Sequence, residues 1–238
     1  MGDAIYNIPI LNLLLVLSLV FVVIAIHIWW SMKAGTVLYG VARMLLQLTL
    51  IGYVLTFIFE SDNPILIGGV LCFMLVVASW IALRPLSKKR KGLYTKVLFS
   101  ITVGGTVTLL VVTQGVLGLT PWYEPHYLIP LAGMIFSNAM NAVSLAAERF
   151  EAELERGGAY LQVRNTAMQA ALIPITNSLF AVGLVSLPGM MTGQILSGVS
   201  PLIAARYQIM VMCMVFGSAG ISVAIYLSLL RERSCTRR

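Results

Sequence analysis

The chain has 238 residues, of which 59% are hydrophobic and 11% charged, with a mean hydropathy of +0.91. Soluble domains carry about 25% charged residues, so this composition excludes an ordinary water-soluble fold and leaves no length for a separate catalytic domain. The formal net charge of +7 suits either nucleic acid or a membrane surface, and the placement of the charges decides between them.

A helix needs about 20 apolar residues to cross the hydrocarbon core. Seven stretches meet or approach that length, at residues 8–30, 36–59, 65–83, 97–119, 127–147, 170–187 and 201–230. The expected fold is therefore an all-α polytopic membrane protein of about seven transmembrane helices, with residues 1–238 forming a single transmembrane domain. The first stretch has no basic segment before it, outruns a signal-peptide core and lacks a small-x-small exit before Trp29-Trp30, which makes it a retained anchor.

Alternate connections carry opposite charge. Residues 31–35 hold Lys33; residues 84–96 hold Arg84, Lys88, Lys89, Arg90, Lys91 and Lys96; residues 148–169 hold Arg149, Arg156 and Arg164; and four arginines fill the tail 231–238. The intervening segments 1–7, 60–64, 120–126 and 188–200 contain Asp3, Glu60, Asp62 and Glu124 and no lysine or arginine. The positive-inside rule then places the N-terminus outside and the C-terminus in the cytoplasm. The "SKKRKG" run reads as a cytoplasmic anchor at anionic lipid, and a nucleic-acid partner is not expected. Two cations break the pattern. Arg43, one turn from Gln47 in the second stretch, either snorkels or lines a polar interior. Arg206, near the start of the last, either faces the bundle interior or marks a misplaced boundary.

Cys72 and Cys213 lie in apolar runs and Cys235 in the tail. Without paired spacing they form no disulfide framework and read as two small buried hydrophobes and one exposed thiol.

The long connection "AERFEAELERGGAYLQVRNTAMQAALIP", residues 147–174, sets Glu148, Glu151 and Glu155 at helical spacing beside Arg149, Glu153 and Arg156. Pairs three and four apart support an exposed helix. Gly157-Gly158 stops it, and a second helix follows from Ala159. The product is an elbow at 148–169, either a plain solvated connector or a contact for a soluble partner.

No catalytic constellation accompanies it. The chain has no phosphate-binding Gly-rich loop, no His-Glu-x-x-His and no Gly-x-Ser-x-Gly, and its two histidines, His27 and His126, fall near opposite membrane faces. Catalytic residues and cofactors are expected to be absent, and metal ligands are not identified. What the apolar stretches do hold is uncharged polar groups, chiefly Asn138, Asn141, Asn177 and Ser178. These either hydrogen-bond between helices or line a translocation path. Pro174 and Pro188 bracket the sixth stretch, and Leu187-Pro188-Gly189-Met190-Met191 is expected to break it. Non-helical backbone at membrane depth survives only where protein or water covers it, so Pro188, Gly189, Met190 and Met191 read as a gate or cavity wall.

Three stretches carry a resemblance. "AALIPITNSLFAVGLVSLPGMMTGQILSGVSPLIAARYQIMVM", "GVARMLLQLTLIGYVL" and "IPLAGMIFSNAMNAVSL" resemble the FetB (YbbM) family of ABC-transporter permeases across nearly the whole chain. Its bacterial members are described as iron exporters, and its plant relatives are linked to aluminium tolerance. The resemblance implies a cognate ATP-binding cassette subunit as partner, a permease homodimer with two ATPases, a bacterial inner-membrane location, and a coupling role for Glu151, Glu155, Gly157, Gly158 and Arg164. One departure stands out. Where the family commonly has Asp-Ser-x-Lys-Thr before Val-Gly-Leu, this chain has Asn177-Ser178-Leu179-Phe180-Ala181. Export of a metal ion such as iron is the leading expectation. A small organic or envelope substrate is the first alternative, and a non-transporting scaffold or sensor the second.

Overall fold

The computed structural model describes residues 9–60, 63–86 and 90–231. The described residues are helical without any named strand, and they fall into two compact units, one up to Ser61 and one from Asp62 onward. Lys88 and Lys89 of the basic run, Asp3, Asp62, Cys235 and the tail beyond Arg231 lie outside the described residues.

The first unit is a helical hairpin, α1 (Ile10–Trp29) and α2 (Ala34–Phe59). The turn between them passes through Ser31, at φ +55, and closes with Met32 N–H on the His27 carbonyl at 2.7 Å. His27 donates its Nδ1 proton to the Val23 carbonyl, 2.9 Å away on its own helix. Arg43 is half-buried and Gln47 exposed. Side chains such as Leu15, Leu19 and Phe21 face outward from α1. A helix apolar all round is what a lipid environment accepts and water does not.

The second unit comprises α3 (Pro64–Ala82), α4 (Arg90–Leu110) running into a π-helical segment (Val111–Val116), α5 (Pro125–Glu155), α6 (Tyr160–Ala181), α7 (Gly189–Leu196) and α8 (Pro201–Leu229). Asn63 starts α3 by accepting the Ile65 amide at 2.9 Å, and Pro64 follows at the first helical position. α5 is the axis, touching α3, α4, α6 and α8. Its buried residues recur every three or four positions, at Leu128, Ala132, Ile135, Ala139, Ala142, Ala146 and Phe150. The many alanines let the neighbouring backbones close in, as small residues do between membrane helices. α4 and α8 approach most tightly at Gly104, where a Cβ would stand 2.9 Å from the Ser222 amide nitrogen.

Among the described residues, six helical segments are long and apolar enough to span a membrane: α1, α2, α3, α4 with its π extension, α5 and α8. The sixth apolar stretch, 170–187, is not one helix. α6 ends at Ala181, the chain is non-helical from Val182 to Pro188, and α7 begins at Gly189. The break therefore lies before Pro188, and Gly189, Met190 and Met191 are helical. Proline fits the start of a helix because its missing N–H is not needed there. Pro174, in contrast, is absorbed inside α6. The expectation of buried cysteines is also corrected. Cys72 and Cys213 are both exposed on their helices, because an apolar side chain can leave water by facing lipid as well as by entering the core.

Candidate coupling elbow and translocation path

At 1.5 Å per residue, the 31 residues of α5 extend about 46 Å, beyond the roughly 30 Å hydrocarbon core. Its surplus end is the charged segment that enters the elbow. Arg156 caps the helix and Gly157 takes φ +84. The Gly157 amide reaches the Leu154 carbonyl at 3.1 Å and the Gly158 amide reaches Glu153 at 3.3 Å, the paired closure of a Schellman motif. Gly157 is needed for its backbone angle. Gly158 is needed for space, since a Cβ there would meet Val163 Cγ2 at 2.7 Å.

The elbow's charges split between inside and outside. Glu153 accepts from Arg149 at 2.7 Å and from Arg156 at 2.8 Å. Glu155 and Gly157 are exposed, while Arg164 is half-buried and donates twice to the Asn165 side chain. Glu151, although spaced with the exposed acids, is only 5% exposed.

Two residues that sequence reasoning passed over tie this end together. Tyr160, the first residue of α6, donates to the Leu227 carbonyl at 2.9 Å and packs edge-on against Phe150, centroids 6.3 Å apart. Lys96 on α4 donates to the Leu229 carbonyl at 2.6 Å. Both acceptors are carbonyls in the last turn of α8, an end that favours a cation such as Lys96; the Leu227 carbonyl also accepts the Leu230 amide at 3.2 Å. The elbow, α4 and the last turn of α8 are thus joined by hydrogen bonds. Nothing local marked these contacts: their partners lie 67 and 133 positions along the chain.

The residues read as path or gate lie on α5, α6 and α7. Asn138 is half-buried and turns its amide back onto the Met134 carbonyl of its own helix at 2.9 Å. Ser178 does likewise to Pro174 at 3.0 Å. Asn141 and Asn177 are exposed, on two helices that touch. Pro188 caps α7, Gly189 opens it, Met190 packs against the core and Met191 is half-buried. Among the described residues, cavities lie between α3 and α5, between α4 and α8, and among α3, α4 and the start of α5. Their linings include none of these eight residues. Among the described residues no three His, Cys, Asp or Glu side chains gather as metal ligands.

The sequence comparisons bear on what such a molecule is. The model of the uncharacterised protein family UPF0014 matches residues 10–235. The chain belongs to the UPF0014 family. Similar proteins include the UPF0014 membrane protein slr1647 of Synechocystis sp., 35% identical over 215 residues covering 84% of this chain and 83% of the relative. The "Probable iron export permease protein FetB" of Escherichia coli is 36% identical over 234 residues, covering 90% of this chain and 89% of the relative. The protein ALUMINUM SENSITIVE 3 of Arabidopsis thaliana is 35% identical over 223 residues, 86% of this chain and 80% of the relative. No solved structure matches. Six apolar spanning helices and relatives named as membrane proteins and a permease make this UPF0014 chain a multi-pass membrane protein.

Proposed function

We propose that the chain is the permease subunit of an ABC transporter, one permease domain over residues 1–238, exporting a metal ion such as iron under the power of a separate ATPase. The observation that carries the reading is the elbow. A helix longer than the bilayer ends in a closed Schellman turn, and the turn is tied to α8 by Tyr160. Such a protrusion transmits a push from an external subunit into the spans, through Glu155, Gly157, Gly158 and Arg164. Relatives named as permease or membrane protein agree with a transport subunit lacking its own nucleotide site.

In this reading α6, about 33 Å long, makes the remaining crossing. Seven crossings then put the N-terminus outside and the elbow and C-terminus in the cytoplasm, as the cation asymmetry requires. The Val182–Pro188 break becomes a discontinuous helix of the kind tolerated where protein or water covers it. Asn141 and Asn177 are exposed in one chain, and amides facing lipid are costly. A second permease copy, with two ATPases bound, would cover them and complete a path with Asn138, Ser178, Met190 and Met191. The membrane is the bacterial inner membrane.

The purified chain should hydrolyse no ATP, and its cognate cassette subunit should form a complex with it whose hydrolysis the permease modulates. Deletion should raise cellular iron and overexpression lower it. A cassette subunit that neither binds nor responds overturns the ABC reading. An intact complex with no change in any metal favours a small organic or envelope substrate instead. The uncharged run Asn177–Ala181, without acid or lysine, is what keeps that second reading in play.

A further inference from the structure

Arg206 is a cation that neither the packing nor the coupling elbow uses. It is exposed, in the first turns of α8, a helix able to span a membrane. It makes no hydrogen bond or ion pair with the described residues. It neither faces the bundle interior nor marks a false boundary, since α8 does begin at Pro201. Instead it borders a cavity of about 440 Å³ between α8 and α4 with its π segment. The rest of the lining is apolar or small, with Val111, Ile209, Met214 and Gly217 prominent. The Thr108 hydroxyl donates to the Gly104 carbonyl at 2.7 Å, and no carboxylate lines the groove to balance the guanidinium charge.

From Arg206 to Ile221, both lining residues, α8 advances about 22 Å, more than half of the roughly 30 Å hydrocarbon core. The groove therefore runs from headgroup depth past the bilayer midplane, with its only charge at the shallow end. Burying that charge beside lipid is costly without an anion. No aspartate or glutamate lies within any of the seven apolar stretches, so a carboxylate could come to this depth only from the outer segments that hold Asp3, Glu60, Asp62 and Glu124. A lipid phosphate is already there.

We propose that the groove seats one phospholipid with an anionic headgroup. Its phosphate accepts paired hydrogen bonds from the Arg206 guanidinium, and one acyl chain lies along the α4–α8 seam down to Gly217 and Ile221. The inference requires only that α8 crosses a bilayer and does not depend on what the protein carries.

Native mass spectrometry of the full chain in neutral detergent, offered palmitoyl-oleoyl phosphatidylglycerol or phosphatidylcholine, tests it. One phosphatidylglycerol is retained about tenfold over phosphatidylcholine, the scale of a charge-assisted contact. Arg206→Gln brings that ratio close to one, and Arg206→Lys keeps part of it. Gly217→Leu, whose side chain enters open space, fills the groove and lowers retention of both lipids. Equal retention by the unaltered chain overturns the site, as does a preference that survives Arg206→Gln. Cys213, exposed on the same lining, supplies a second readout. A bilayer-soluble maleimide labels it in delipidated protein, and bound phosphatidylglycerol slows the labelling. A thiol protected without lipid, or one that forms a disulfide between copies, places protein in the groove and overturns the proposal.

Discussion

Gly157 and Gly183 take nearly the same backbone angle, φ +84 and +82, and each follows the end of a long helix. Their surroundings differ. Beyond Gly157 the chain turns directly into α6, and the turn is fastened to another helix: Tyr160 donates to the Leu227 carbonyl of α8 and lies edge-on against Phe150. Beyond Gly183 the backbone closes only on itself. The amides of Leu184, Val185 and Ser186 all point at the Ala181 carbonyl, and Gly183 N–H reaches Ser186. Leu184 and Val185 at its tip are 90% and 84% exposed. One glycine device thus makes a stiff corner where it is fastened to other helices and a yielding one where it is not. Segments with few buried contacts open at least free-energy cost, so motion delivered at the elbow is expected to be absorbed at the Val182–Pro188 break.

Crowding the elbow is the strongest way to break that contrast. Gly158→Leu pushes a side chain into Val163 and should destabilise the protein by about 2–3 kcal/mol, as overpacking does. In thermal unfolding in detergent it should lose more than Gly183→Val, Tyr160→Phe or Glu153→Gln. Unchanged unfolding would mean that the corner is not packed as described. Gly183→Val comes next. A β-branched residue at positive φ costs about 1–2 kcal/mol, but nothing stands within 4 Å of a Cβ there, so no overpacking adds to it. A loss equal to that of Gly158→Leu would mean that the break is braced by a contact the single chain does not have, as a second permease copy would provide.

These two corners also measure what could be read in advance. The elbow was legible because its cause is local: charges at helical spacing, then Gly157-Gly158. The break was legible as an interruption but set a few residues late. Pro188-Gly189 looks like a stop, yet the stop is made at Val182-Gly183 and Pro188 begins the next helix. The π segment was invisible, since "VVTQGV" continues the apolar run of α4 without a break in composition. Cys72 and Cys213 were misplaced because composition separates water from everything else and does not separate core from lipid. The fastening of Tyr160 and Lys96 to α8 could not be found at all from local pattern, because it exists only once helices distant in sequence pack.

Tyr160→Phe keeps the ring against Phe150 and removes only the hydrogen bond to Leu227. The expected loss is about 1 kcal/mol, smaller than that of either glycine variant. Its larger effect should fall on coupling: with the cassette subunit bound, stimulation of ATP hydrolysis should drop while complex formation persists. Full stimulation would leave the elbow free of α8 and remove the difference between the two corners.

The smallest effect is expected at Glu153, and it sharpens what fastens the elbow. Glu153 accepts from Arg149 and Arg156, whose side chains are 42% and 68% exposed. Both pairs lie on one helix at its wet end, where such contacts contribute about 0.2–0.5 kcal/mol and are screened by salt. Glu153→Gln should therefore cost at most about 0.5 kcal/mol in low salt, falling toward zero in about 1 M salt as the Debye length shrinks. Tyr160→Phe should show no such salt dependence, because its lost bond is between neutral groups. If Glu153→Gln instead cost as much as Tyr160→Phe at every ionic strength, the corner would be held by its surface charges, and the stiffness assigned to the α8 tether would belong to α5 alone.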